Sequence, residues 1–316
     1  MSQAMRDIEI IAAPSNLGLR PLHPGHVPGT WRAPEVLLAN GLSAAVGARR
    51  VRSLNRPTYS PERQPGTGLY NGHAMRAFNL DLAGHVAAVL ESGGWPLVPG
   101  GDCSILLGAL AGCRRHGPVS LVHLDGHSDF RHPGNYDSEA RLGAVAGMDL
   151  ALATGRGEPL MTDWPGIAAP LVPDERVIQI GEREGRDADF AWPDVRQSGI
   201  ERIEIFDALE IGMEAVAQLV FEQLNKAECP RFWLHLDVDV LDQSVMPAVD
   251  SPGSPGLDAS QLIRLARRLL QAPGSIGMTV TVFDPDLDPS GALARELVRI
   301  LGAMHIGSRR STSKQK

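Results

Sequence analysis

Seven apolar runs of strand length punctuate the chain, at residues 8–12, 96–98, 119–124, 177–180, 203–206, 232–238 and 276–283. Helical patterns lie between them, most clearly over 33–46, 74–91, 104–115, 208–225, 259–271 and 291–301. Strands alternating with helices in this order predict an α/β fold, a mostly parallel central sheet covered by helices on both faces. The 316 residues are enough for about two domains, but α/β folds often run longer as one, and a single domain over 1–306 is the simplest account. Residues 57–67 and 246–256, rich in Pro, Gly and Ser, read as loops, and the polar, basic stretch 307–316 reads as a disordered tail.

Composition narrows the class of function. Hydrophobic residues make up 43% and charged residues 21%, as in an ordinary soluble globular protein. A formal charge of −7 argues against a nucleic-acid partner, which calls for a basic face. The first seven residues are mixed in charge with no apolar stretch behind them, and no run of 18 uncharged apolar residues follows. The expectation is a cytoplasmic protein without membrane contact. Cys103, Cys113 and Cys229 are too few and too irregularly spaced for a disulfide framework, so they are thiols or ligands.

Two of the apolar runs end in acid. Leu124-Asp125-Gly126-His127-Ser128-Asp129 follows one, and Leu236-Asp237-Val238-Asp239-Val240-Leu241-Asp242 closes another. Period-two alternation lets Asp125, His127 and Asp129 point one way, and Asp237 and Asp239 likewise. Carboxylates packed together without partners raise one another's pKa or demand a cation, so the pattern predicts a metal site for two ions. Ligands gather outside the carboxyl ends of strands in open α/β sheets. Val98-Pro99-Gly100-Gly101-Asp102-Cys103-Ser104 brings Cys103 to the same edge through a Gly-Gly turn, with Asp102 or Ser104 placed to cap the next helix. This turn lacks the endings of a phosphate or dinucleotide loop. His123 and His235 each precede the first Asp of a motif by two residues, one layer deeper on the ligand side. They are read as groups that hold the aspartates in place, as ligands, or as hydrogen-bonded core histidines. Glu182, Arg183 and Glu184 reach the same edge, facing either substrate or solvent.

The order Gly-Gly-Asp-X-Ser, Asp-X-His-X-Asp, Asp-X-Asp-X-X-Asp resembles the ureohydrolase family of arginase, agmatinase and formimidoylglutamase, and the resemblance covers most of the chain. Gly29-Thr30 is similar to that family's N-terminal active-site loop, and 247–256 to its proline-glycine loop. The resemblance implies a three-layer α/β/α arginase-like fold with a binuclear manganese site. One ion would be held by Cys103, Asp125, Asp129 and Asp237, the other by Asp125, His127, Asp237 and Asp239, with Asp125 and Asp237 bridging. It implies hydrolysis of a linear C–N bond by a metal-bridging hydroxide that Asp129 orients. It also implies a small guanidino- or formimino-type substrate and a homo-oligomer, a trimer or hexamer.

The sequence departs from the family pattern at several positions. Cys103 stands where histidine is usual, which admits zinc, iron(II) or nickel beside manganese. Alternatively Cys103 is a small buried residue and one metal binds. Residues 142–148 lack the histidine that serves proton transfer, leaving His132 or another group to do so. Val282 occupies the place of the glutamate that pairs with a guanidinium, so classical arginase or agmatinase activity is not expected. Arg131 replaces an amino-acid-binding asparagine, and binds a carboxylate or is structurally paired. The Cys variant resembles the Nω-hydroxy-L-arginine amidinohydrolase of D-cycloserine biosynthesis. The expectation is therefore a metal-dependent hydrolase of an amidine, guanidino, hydroxyguanidino or formimino compound. The alternatives are a family member that has lost catalysis and serves as a binding or structural subunit, and, on weaker grounds, a metal-dependent deacylase.

Overall fold

Strands β1 (Ile8–Ala12), β2 (Arg50–Ser53), β3 (Trp95–Pro99), β4 (Ser120–Leu124), β5 (Val177–Ile180), β6 (Glu201–Ile203), β7 (Phe232–Asp237) and β8 (Ser275–Thr281) form one sheet. Their order is β2-β1-β3-β8-β7-β4-β5-β6 and every pairing is parallel. The structure, a computed structural model, describes residues 6–135, 143–187 and 193–306; the tail expected at 307–316 lies outside them. Helices α1 (Ala33–Ala39), α2 (Leu42–Val46), α3 (Gly72–Glu91), α4 (Ile105–Arg114), α5 (Asp149–Ala153), α6 (Pro159–Thr162), α7 (Pro193–Gln197), α8 (Ile205–Ile211), α9 (Met213–Lys226), α10 (Ala259–Leu270) and α11 (Ala292–Ala303) connect the strands. This is the three-layer α/β/α architecture expected from the alternation.

Burial on both faces explains why the inner strands read as continuous apolar runs. Every residue of β1, β3, β4, β5 and β7 is buried. Alternation divides them between two cores. Ile8, Ile10, Leu97, Val122, Leu124, Leu234 and Leu236 pack with residues of α1, α2 and α8 to α11, while Ile11, Val98, Leu121 and Trp233 pack with residues of α3 to α6. His123 and His235, paired across β4 and β7, therefore face the second layer. No helix among the described residues is long and apolar enough to cross a membrane.

The structure differs from the sequence expectation where polarity or glycine overrides periodicity. The helical pattern at 33–46 is two helices, because Gly41 turns the chain at φ 91°; that at 208–225 begins earlier and breaks at Gly212, where φ is 81°. The run at 203–206 is the end of β6 followed by the start of α8. Strand β2 has no apolar period. It is an exposed edge strand whose Arg50 and Arg52 pair with Glu9 of β1, an arrangement that blunts edge-to-edge association.

Candidate metal centre

The order β3-β8-β7-β4 sets four carboxyl ends side by side, and each delivers part of one cavity. Strand β4 stops at Leu124, and Asp125 N still donates to Ile180 O of β5 (3.0 Å). Beyond it the backbone leaves the extended state. Asp125 Oδ1 accepts from His127 N at 2.6 Å, and Asp129 sits at φ 46°, a left-handed conformation that aspartate tolerates. Similarly Asp237 ends β7, and its Oδ1 accepts from Asp239 N (2.8 Å) to start the 3-10 turn Val238–Val240. Strand alternation thus orients the two histidines upstream, but turns, not strand pleats, aim His127, Asp129 and Asp239.

Cys103 arrives from the turn after β3. Gly100 and Gly101 are needed there for close approach and not for a left-handed turn, since neither has a positive φ and a Cβ on Gly101 would collide with the Ser15 carbonyl. Asp102 braces the turn before the helix and does not cap it: its Oδ1 accepts from the N of Ser104, the N-cap residue (3.0 Å), and its Oδ2 from Ser15 Oγ (2.8 Å). The Ser104 hydroxyl makes no capping bond.

Cys103, Asp125, His127, Asp129, Asp237 and Asp239 all line one cavity of about 330 Å³. The cysteine and the four carboxylates are 1% to 9% exposed. Cys103 Sγ donates to Asp237 Oδ2 (2.6 Å), and His127 Nδ1 pairs with Asp239 Oδ2 (2.9 Å). Donor atoms of Asp125, His127 and Asp239 converge within 4.8 Å, and so do those of Cys103, Asp125 and Asp237, where His235 supplies the fourth donor. Asp129 converges with His123 and Asp125 instead.

Electrostatics shows what this cluster lacks. Burial, then the neighbouring Asp125 carboxylate, lifts Asp129 well above the usual carboxylate range; burial, then Asp239, does the same to Asp237. Burial and Asp237 push the Cys103 thiol up strongly. Burial opposes protonation of His127, yet Asp239 and Asp125 raise it well above its ordinary value. Asp125 Oδ2 is buried with no hydrogen-bond partner among the described residues. Four close carboxylates, one of them with an orphaned oxygen, fit divalent cations as partners.

Other expected residues divide. Ala146 and Val282 line the cavity; His132 does not, and its Nε2 instead meets Asp194 Oδ2 at 2.5 Å. Glu182 is buried in an ion pair with Arg202 (2.5 Å). Arg183 clamps the site from behind, donating from Nε to Pro255 O (3.1 Å) and from Nη2 to Asp239 O, against Gly126. Of that trio only Glu184 lines the cavity. Gly29 donates to Asp284 Oδ2 (3.0 Å), Thr30 donates to Ser15 O (3.1 Å), and neither reaches the cavity wall. Within 247–256, Asp250, Ser251 and Pro252 do. Burial, then Asp239, raises Asp250 to about 6.

The sequence reading missed Arg20, Leu19 and Leu22 at the cavity wall, and Asp149 behind it. Only Asp149 left a signal: it is the single charge in the buried, otherwise apolar run of α5. Val282 holds φ 75°, a strained value for a β-branched residue, with its N–H donated to Gly101 O (2.7 Å).

A sequence profile described as the arginase family matches residues 29–306. An arginase of Bacillus subtilis is 31% identical over 238 residues, covering 74% of this chain and 77% of that protein. An arginase of Bacillus caldovelox is 29% identical over 242 residues, 76% of this chain and 78% of that one. The crystal structure of an arginase from Bacillus cereus superimposes with a TM-score of 0.80 at 25% identity, covering 97% of this chain and all of that one.

Proposed function

The chain belongs to the arginase family, and from that premise we propose that it is a metal-dependent hydrolase of the C–N bond in a small guanidino, hydroxyguanidino, formimino or other linear amidine compound. The observation that carries this reading is the convergence of Cys103, Asp125, His127, Asp129, Asp237 and Asp239 on one cavity at the sheet edge. Cys103, Asp125, Asp129 and Asp237 would hold one cation and Asp125, His127, Asp237 and Asp239 the other. Bound divalent cations supply a water of lowered pKa and Lewis acidity at the reacting carbon. Manganese is the family's habit, and the Cys103 thiolate favours zinc or iron(II), with nickel a further candidate.

The chain's own groups then orient the reactants. Asp129, held at the cavity wall by its left-handed backbone, accepts a hydrogen bond from the attacking water and aims it. Val282 offers the substrate an apolar contact where a carboxylate would grip a guanidinium. A cationic guanidinium placed there forgoes a charge-assisted hydrogen bond of about 1.5–3 kcal/mol, roughly a 10- to 100-fold loss in kcat/KM. Arg20 and Arg131 offer a carboxylate partner at the wall, and Glu184 and Asp250 an ammonium partner, which suits an amino-acid-like tail. The unit is taken to span residues 1–306 and to assemble as a trimer or hexamer, to be measured by light scattering.

Release of urea, hydroxyurea, ammonia or formamide from a panel of such compounds tests the reading. Turnover of a hydroxyguanidino or formimino compound above arginine supports it. A second reading, a binding or structural subunit without catalysis, draws on the two alkyl side chains Ala146 and Val282 in the wall; metal-loaded protein inert to the whole panel would favour it.

A further inference from the structure

Behind the aspartates lies a second set of donors. His123 and His235 sit opposite each other on β4 and β7, their rings stacked at 4.8 Å. Asp149 at the start of α5 faces both, and all three residues are 0% exposed. His123 Nε2 stands 3.5 Å from Asp149 Oδ1 and 3.8 Å from Asp125 Oδ2; His235 Nε2 stands 3.7 Å from Asp149 Oδ2. Both Asp149 oxygens, both His123 nitrogens, His235 Nε2 and Asp125 Oδ2 have no hydrogen-bond partner among the described residues.

The spacing decides between two ways of satisfying these atoms. A hydrogen bond to a carboxylate spans about 2.7–3.2 Å. Donors around a cation bound at about 2.0–2.2 Å stand roughly 3–4 Å apart, as these do. A proton shared by His123 and Asp149 would satisfy one nitrogen and one oxygen and leave His235 Nε2 facing the other oxygen. His235 Nδ1 already engages Thr279 Oγ1 at 2.8 Å. Thr279 Oγ1 also accepts from Trp233 Nε1 (3.2 Å). With His235 Nδ1 as donor, the Nε2 lone pair points toward a carboxylate, a repulsive pairing that a cation between them reverses. With the hydroxyl as donor, Nε2–H stands 3.7 Å from Asp149 Oδ2, beyond hydrogen-bond range.

We propose that His123, Asp149 and His235 form a third, inner cation position, with Asp125 Oδ2 shared between it and the outer pair. The one free His235 nitrogen, which also converges with Cys103, Asp125 and Asp237, is taken by the inner ion. Two imidazoles and one carboxylate select a borderline ion, zinc or iron(II), over magnesium or calcium. The position adjoins the outer site through Asp125, which lines the outer cavity and whose Oδ2 lies 3.8 Å from His123 Nε2. This inference rests on the family reading only for the existence of the outer pair.

The test uses the full chain, loaded with manganese and zinc and then desalted, in anomalous diffraction at both absorption edges. The expected map has a peak between His123, Asp149 and His235 in addition to the outer peaks, and metal analysis gives about three ions per chain. Asp149→Asn should lose about one of them and keep the outer pair. Peaks at the outer pair with none at the inner position overturn this inference alone, as does an Asp149→Asn protein with undiminished metal content. No metal at either position overturns both readings. The wild-type map decides the matter even if Asp149→Asn fails to fold.

Discussion

One side of the cavity and the other follow different rules. On the side formed by the ends of β4 and β7, Asp125, His127, Asp129, Asp237 and Asp239 all line the cavity, the four carboxylates buried and His127 partly exposed. On the side formed by the end of β8 and the segment around residue 146, alkyl groups stand at Val282 and Ala146, and arginine at Arg131. The contrast teaches which constraint each side answers to. A metal pair accepts few donor types and fixes them through electrostatics, whereas recognition of a substrate can be rebuilt one side chain at a time. Under the proposed function, the first side would set the reaction class and the second the choice of substrate.

That division can be broken most forcefully from the metal side. Asp237→Asn or Asp239→Asn should abolish turnover and remove bound metal, checked by product release and metal analysis; an active variant would show that the aspartates are structural. Next in size, Val282→Glu places a carboxylate at the cavity wall and should raise kcat/KM for arginine by roughly 10- to 100-fold, with less change for a neutral formimino compound. Arg131→Ala should raise KM for substrates bearing a carboxylate by about 10-fold while leaving analogues without it nearly unchanged. Val282→Gly relieves the positive φ but also removes a buried core side chain, so thermal or chemical denaturation should show no gain and a net loss of about 1 kcal/mol.

The smallest effect belongs to a control away from both sides. Arg156 grips Asp174 with two hydrogen bonds of 2.8 and 2.7 Å and holds its carboxyl below the usual range. The folded pKa is depressed, so this contribution is present above the unfolded value of about 4 and is lost as pH falls through the folded one. Asp174→Asn should cost about 1 kcal/mol or less at pH 7, the difference closing below about pH 4 in denaturation curves.

The same division runs through what the sequence disclosed. The inner strands were legible because both faces are buried, and Asp125, Asp237 and Cys103 because they sit at or next to strand ends. Asp129 and Asp239 do line the cavity, but turns and not the predicted strand pleats direct them there. Strand β2 was hidden by its polar edge chemistry, and Gly41 and Gly212 each hid a break inside an intact apolar period. Arg20 and Asp250 meet the metal residues only through loop closure, which leaves no periodic trace. Asp149 was visible as a lone charge in an apolar helix, but its pairing with His123 and His235 required the register of β4 on β7.

The most direct measurement is the ratio of kcat/KM values for a hydroxyguanidino or formimino amino acid and for arginine, on protein whose metal content has been determined. Turnover should vanish on chelation and return with metal, with arginine at least about 10-fold the poorer substrate. Arginine as the preferred substrate, or turnover that survives complete removal of metal, would contradict the proposed function.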